Sequence, residues 1–341
     1  MLTFLDTTLT YIINNPAWLQ FNAAELRSAT IVLVFVMLFS LEALGGYRKN
    51  PNKTTRQSYL TNLGTFLMND TLMSLMSVSA LFLVAEKFGH WGLLHSVSDP
   101  LIRGVLAFLA LDLTLYLWHR LNHSHDSLWM FHKVHHSDPT MNVSTAFRLH
   151  FVEVVLTAMV KAALIVALGI DSAMLLANEA VITLMIMFHH ANIRFPGEGW
   201  LANLFIVPSL HRVHHSSLRK EHDNNYGAVF SFWDRLFGSL AEQEPKKIGL
   251  ESIPGLGVFE LVRYGLSATW LPSPHPVTAC PQTLQKMIAE AAYFRSKARG
   301  FAPGYDYIDW LEAEREITAR FGKSQASKKK KANFSFRLCC R

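Results

Sequence analysis

Thirteen of the sixteen histidines fall between His119 and His222, a concentration that calls for one shared explanation. Within that stretch lie three clusters: His119 with His123, His132 with His135 and His136, and His211 with His214 and His215. Residues i and i+4 of an α-helix lie about 40° apart around the axis and about 6 Å along it, so His119 and His123 project the same way. The other two clusters repeat that geometry at i, i+3 and i+4. One such pair is commonly just helix surface, but three in one chain form a ligand set. A four- to six-coordinate ion accepts about three to five imidazoles, so eight convergent rings imply two metal ions close together. Imidazole suits zinc, copper, iron and nickel alike, and the spacing leaves the metal open. A pair of iron ions with open positions activates oxygen, whereas zinc has no redox role. Zinc stands above iron in the affinity order and can occupy such a site in purified or overexpressed material.

The elements that must position these rings are helical and apolar. Half of the 341 residues are hydrophobic and only 17% are charged, a balance normal for a membrane protein and unusual for a soluble enzyme. Apolar runs cover 28–46, 58–84 and 104–118, followed by two runs, 151–170 and 172–188, separated by a tight turn that makes them a hairpin. The second run is interrupted by Asn62, Asn69 and Asp70, so part of it faces protein. The loop between the first two runs carries Arg48, Lys49, Lys53 and Arg56 without an acid, which places it in the cytoplasm. Counting crossings from there puts all three clusters on the cytoplasmic side. The expected fold is therefore all-α: a multi-span helical membrane protein with a cytoplasmic histidine-rich cap holding a dinuclear metal site.

Residues 1–27 lack the basic start and cleavage site of a secretory signal and read as an N-terminal interfacial segment. Residues 28–238 form the membrane-embedded domain, 239–323 a C-terminal cytoplasmic extension of the cap, and 324–341 a basic disordered tail. That tail supplies six positive charges, Lys328 to Lys331 with Arg337 and Arg341. The rest of the chain is nearly neutral and shows no basic stripe interleaved with aromatics, which argues against nucleic acid as a partner. Cys280, Cys339 and Cys340 have no metal or redox spacing and fit a reducing compartment.

Further residues are placed to support the ligands. Asp112 lies seven residues before His119 on the same helix face, where it could accept a proton from a ligand imidazole. His150 and Glu153, in an Arg-x-His-x-x-Glu pattern from Arg148, make a second candidate network for fixing imidazole tautomers. His222, in Glu221-His222-Asp223, could close the site from the cap.

The ordered pattern His119-Arg120-Leu121-Asn122-His123, His132-Lys133-Val134-His135-His136, a membrane hairpin, then His211-Arg212-Val213-His214-His215 resembles the fatty acid hydroxylase/sterol desaturase superfamily of integral membrane di-iron enzymes. Asp112 and Tyr116 before the first cluster, and Asp223, Asn225-Tyr226-Gly227 and Trp233 to Gly238 after the last, add to the likeness. The resemblance covers roughly residues 56–238. It implies that the eight cluster histidines hold two iron ions, with His190 as a ninth ligand and His189 as packing. It also implies hydroxylation or desaturation of a lipid (a sterol, fatty acyl chain or ether lipid) by O2, in a bacterial inner membrane or the endoplasmic reticulum. The His-Pro-Gly-Gly signature of a fused cytochrome is missing, since Val277 follows His275-Pro276. The resemblance therefore implies an external electron donor: a reductase, ferredoxin or cytochrome. The alternative is a non-redox zinc-binding membrane protein, a hydrolase or a metal carrier. A carrier would spread its ligands through the membrane depth, whereas these gather at one surface.

Overall fold

The computed structural model describes residues 23–75, 81–250, 253, 255–267 and 281–321. Most of the N-terminal segment, the three cysteines and the basic tail lie outside the described residues. The described elements are helical, with only two isolated β-bridges, Phe205 to Phe230 and Ser216 to Ile248. Contacts divide the chain into two compact units, one ending at Thr269 and one beginning at Trp270.

The first unit opens with α1 (Ala23–Gly45), α2 (Asn52–Leu75) and α3 (Leu81–Phe88). The long α4 (Pro100–Ser124) follows, its first turn capped by Asp99, which accepts from the Leu101 and Ile102 amides at 2.8 and 3.0 Å. The chain is extended only at His125 before α5 (Asp126–His136) begins. That single break turns the second histidine cluster back against the first, with the His119 and His132 ring centroids 4.8 Å apart. Next come the hairpin helices α6 (Phe151–Leu168) and α7 (Ser172–His190), then the short α8 (Pro208–His214) and α9 (Val258–Gly265).

Among the described residues, four helices are long and apolar enough to cross a membrane: Glu25–Gly45, Pro100–Ser124, Phe151–Leu168 and Ser172–His190. Their outward residues, among them Leu33, Leu44, Leu101 and Met159, are exposed, as lipid-facing side chains must be. Leu111, Ile165, Leu175 and Ile182 pack between them. Of the second apolar run, residues 58–75 lie on α2 and 81–84 open α3, and α2 is not among the four because one of its faces is polar. Ser58, Thr61, Asn62, Thr65 and Asn69 recur at helical spacing and are all buried. Asn62 donates to Asp138 Oδ2 at 2.8 Å and to Ser144 Oγ at 3.0 Å, and Ser58 donates to Asp138 Oδ2 at 2.7 Å.

The two ends of the bundle are tied separately. At the far end, Gly169 closes α6 with φ 73°. Its Cα lies so close to the loop after α3 that a Cβ would sit 1.6 Å from the Trp91 carbonyl oxygen, so only glycine fits. At the histidine end, Glu42 of α1 accepts from the Val143 and Asn192 amides at 2.8 and 2.6 Å and from the Tyr59 hydroxyl. The Arg48 amide donates to Asn192 Oδ1 at 2.9 Å, two residues beyond His190. The basic loop after α1 thus lies at the histidine end. Residues 239–267, grouped by sequence with the extension, pack here through Leu250, Leu256, Leu261 and Tyr264 against Val134 of α5.

The second unit contains α10 (Pro281–Ala298) and α11 (Asp306–Phe321), an antiparallel pair packed through Ile288, Ala292, Ala313 and Ile317.

Candidate metal centre

Each cluster sits at a helix end. His119 and His123 occupy the last turns of α4, His132, His135 and His136 end α5, His190 ends α7, and His211 and His214 end α8 with His215 as its cap. The structure brings these nine rings into two adjoining groups. One contains His119, His123, His132, His136 and His214; the other contains His135, His190, His211 and His215. Within each group one ring nitrogen from every residue lies within 4.8 Å of the others. All are buried except His119, which is partly exposed.

Five of the nine rings have an outward nitrogen held by a fixed acceptor. Nδ1–H of His119 donates to the Tyr226 carbonyl at 2.9 Å, that of His190 to the Ile186 carbonyl at 2.7 Å, and that of His214 to the Asn224 carbonyl at 2.7 Å. His132 Nδ1–H donates to Glu153 Oε1 at 2.6 Å and His123 Nδ1–H to Asp223 Oδ1 at 3.1 Å. In a neutral ring, donation at Nδ1 leaves Nε2 with a lone pair.

That tautomer pattern supplies the test of whether cations fit. His119 Nε2 and His132 Nε2 are 3.1 Å apart, and both bear lone pairs because both Nδ1 atoms donate outward. Two lone pairs in a dry site repel unless a cation stands between or beside them. The contacts from His136 to His132 at 3.2 Å, His190 to His135 at 3.1 Å and His211 to His190 at 3.0 Å are of the same length. Two ligand nitrogens about 2.0–2.1 Å from one ion and roughly at right angles would be separated by about 3 Å. Among the described residues, the buried Nε2 atoms of His123 and His214 and both ring nitrogens of His215 have no hydrogen-bond partner. Burial, reinforced by neighbouring rings, holds His136, His211 and His215 well below their ordinary pKa. They are neutral and able to ligate at physiological pH. The donor set fits two metal ions.

Asp112 corrects the sequence reading. Its carboxylate touches no imidazole and instead accepts from the Val229 amide at 2.9 Å, the Phe230 amide at 3.3 Å and the Trp233 indole at 2.8 Å. It anchors the loop whose Tyr226 carbonyl orients His119. His150 also stands away from the ligand rings. It caps α6 by accepting from the Val152 amide and donates to the Val262 carbonyl, both at 3.2 Å. Of the proposed Arg148–His150–Glu153 network, only Glu153 reaches a cluster histidine. Arg148 instead holds the end of α5, donating to the Val134 carbonyl at 3.1 Å and Ser137 Oγ at 3.0 Å. It faces Asp138, whose carboxyl stays below its ordinary pKa because Arg148 and hydrogen bonds outweigh the upward push of burial. His222 lies beside His123, its Nε2 3.7 Å from Asp223, and donates through Nδ1 to the Ser216 carbonyl at 3.0 Å. Its ring stacks on Trp129 at 5.2 Å, a residue to which sequence reasoning gave no role. His189 packs against His211 with ring centroids 4.0 Å apart.

The family model described as fatty acid hydroxylase matches residues 104–239, the segment that holds all nine rings. The chain carries a fatty acid hydroxylase domain. That match falls on the segment whose histidine pattern resembles the fatty acid hydroxylase/sterol desaturase superfamily. An ornithine lipid hydroxylase from Rhizobium tropici is 34% identical over 136 residues, 40% of this chain and 41% of that protein. An alkylglycerol monooxygenase from Danio rerio is 29% identical over 231 residues, 67% of this chain and 50% of that protein. The human alkylglycerol monooxygenase is 32% identical over 145 residues, 42% of this chain and 32% of that protein. The chain thus spans half or less of the length of these relatives. No solved structure gives a significant match. Outside the hydroxylase domain, residues 283–319 match a second family, one of unknown function.

Proposed function

We propose that the chain is a membrane di-iron oxygenase that uses O2 and electrons from a separate carrier to hydroxylate or desaturate a lipid. The reading rests on one observation above all: nine imidazoles, eight of them buried, divide into two adjoining groups with inward nitrogens about 3 Å apart. Two iron ions held there by His119, His123, His132, His135, His136, His190, His211, His214 and His215 would supply redox chemistry, with the hydroxylation balance R–H + O2 + 2 e⁻ + 2 H⁺ → R–OH + H2O. Iron is preferred over zinc because the relatives are named as hydroxylases and monooxygenases of lipids, and zinc has no redox role.

The chain's own residues supply orientation and exclusion. Glu153 and Asp223 hold His132 and His123 by their outer nitrogens, and the carbonyls of Tyr226, Asn224 and Ile186 do the same for His119, His214 and His190. Asp112 fixes the loop that presents Tyr226. Burial of the rings keeps bulk water away from the reacting carbon, and the partial exposure of His119 supports approach of substrate from its side. The basic residues Arg48, Lys49, Lys53 and Arg56 follow α1 at the histidine end, which supports a centre facing the cytoplasm.

The test is metal analysis with Mössbauer spectroscopy on protein produced in iron-supplemented cells, joined to lipid profiling with and without the chain. The expected result is two irons per chain and an oxidised lipid that disappears on His135→Ala while membrane insertion persists. Firm zinc occupancy with no O2-dependent lipid product would overturn the proposal.

A further inference from the structure

None of the groups forming the metal centre comes from the α10–α11 hairpin. The hairpin is held by its own contacts. Arg295 binds Glu312 and Glu316 at 2.6 and 2.8 Å, and Arg299 pairs with Asp309, which is 1% exposed. Its composition is sharply polarised along its length. Six of the seven aromatic residues between 281 and 321 fall between 293 and 310, at the end where the two helices connect. Tyr293, Phe301, Tyr305, Tyr307, Ile308 and Trp310 are all exposed there, Tyr307 by 73%. Phe301 takes a left-handed conformation, φ 58°, and is itself 54% exposed. A bulky residue at positive φ is strained, yet this one leaves half of its surface exposed, packing its aromatic ring on Tyr293 with centroids 5.7 Å apart.

We propose that this aromatic end of the hairpin docks on the lipid bilayer surface, making the second unit a membrane-interface module. Three observations favour lipid as the occupant. First, tyrosine and tryptophan join an apolar ring to a polar tip, the chemistry that sorts to the headgroup level of a bilayer. An exposed aromatic patch of this extent needs a cover. Second, ion pairing leaves that end little charge to desolvate. The aromatic end carries Arg295, Lys297 and Arg299 against Asp306 and Asp309; Arg295 is tied to Glu312 and Glu316 and Arg299 to Asp309, so the charges it presents are those of the exposed Lys297 and Asp306. Third, Ser267 belongs to the membrane-anchored unit and accepts from Lys133 Nζ at the histidine end. Residues 268–280 therefore tether the hairpin to the membrane region by thirteen residues, a reach of at most about 45 Å. The surface is always at high local concentration.

The experiment uses the full chain in nanodiscs of phosphatidylcholine and phosphatidylglycerol, with Cys280, Cys339 and Cys340 replaced by serine. An environment-sensitive fluorophore is attached to a single cysteine, Tyr307→Cys at the aromatic end or Glu314→Cys on the opposite half. The fluorophore at 307 is expected to be quenched by spin-labelled lipid at a depth on the order of 5–10 Å and shielded from aqueous iodide. The fluorophore at 314 should show the reverse. Iodide quenching at 307 equal to that of free dye would overturn the proposal. So would shielding from both quenchers, which would mean that protein covers the patch: another part of this chain or a second copy. Should Tyr307→Cys fail to fold, Tyr305→Cys reads the same surface.

Discussion

Replacing Glu153 by glutamine isolates the role of a charge that touches no metal. The carboxylate accepts from His132 Nδ1 at 2.6 Å and is 7% exposed, within the short, charge-assisted range. Such a bond contributes about 1.5–3 kcal/mol, against about 0.5–1.5 kcal/mol for the neutral bond an amide oxygen would make. The difference of about 1–1.5 kcal/mol corresponds to about a five- to tenfold weaker hold on metal. Loss of the negative charge also makes the His132 ring less basic, which places the total within the roughly 10–100-fold range for such outer partners. The assay is competition with a chromophoric chelator, run on detergent-solubilised wild type, E153Q, H132A and the double variant. E153Q should release metal about tenfold more readily, and the double variant should be no worse than H132A alone, because the carboxylate acts only through that ring. Wild-type metal retention in E153Q would refute the reasoning. So would a penalty that simply adds in the H132A background.

Asp112→Asn should lower thermal stability by about 1–3 kcal/mol, because three donors then face a neutral amide. Metal retention should fall with it as the Tyr226 loop loosens, measured by thermal unfolding and metal content on the same sample. The pH dependence of the metal-stripped protein follows from the buried rings of His136, His211 and His215, whose folded pKa values lie well below 6.5. A depressed folded pKa means that the unfolded chain takes up protons first, so stability is full above about pH 6.5 and falls as pH drops below it. Thermal unfolding across that range checks the sign. Gly169→Val sets a Cβ against the Trp91 carbonyl at a positive φ and should destabilise the far end of the hairpin by several kcal/mol, read as protease sensitivity of that loop.

The histidine clusters were legible because helical spacing converts sequence positions directly into directions. The structure accordingly gathers all eight, with His190 beside them. What spacing cannot give is the identity of the group opposite. Asp112 occupies the face it was assigned, yet its partners are the amides of Val229 and Phe230 and the indole of Trp233, contributed from more than a hundred residues away. The carbonyls of Tyr226, Asn224 and Ile186 were invisible for a simpler reason: every residue has one, and only the fold selects which will meet a ring nitrogen. The run 58–84 read as a single span because hydropathy averages over all faces of a helix. The stripe from Ser58 to Asn69 disappears in that average, although its three- and four-residue recurrence was present in the letters.

That stripe has a consequence for how the chain is made. α2 leaves the ribosome some eighty residues before Asp138, Ser144 and Arg148, the groups its Ser58 and Asn62 bind. For that interval its polar side has no protein to meet, and hydrocarbon is a poor substitute. The helix therefore has to remain at the interface, or in the shelter of the insertion machinery, until the second histidine cluster and the segment behind it have been synthesised. Threading of the bundle is then not strictly sequential. The arrival of Asp138 and Arg148 both completes the support of the histidine helix and draws α2 into place, so assembly of the centre and integration of the second helix are one event.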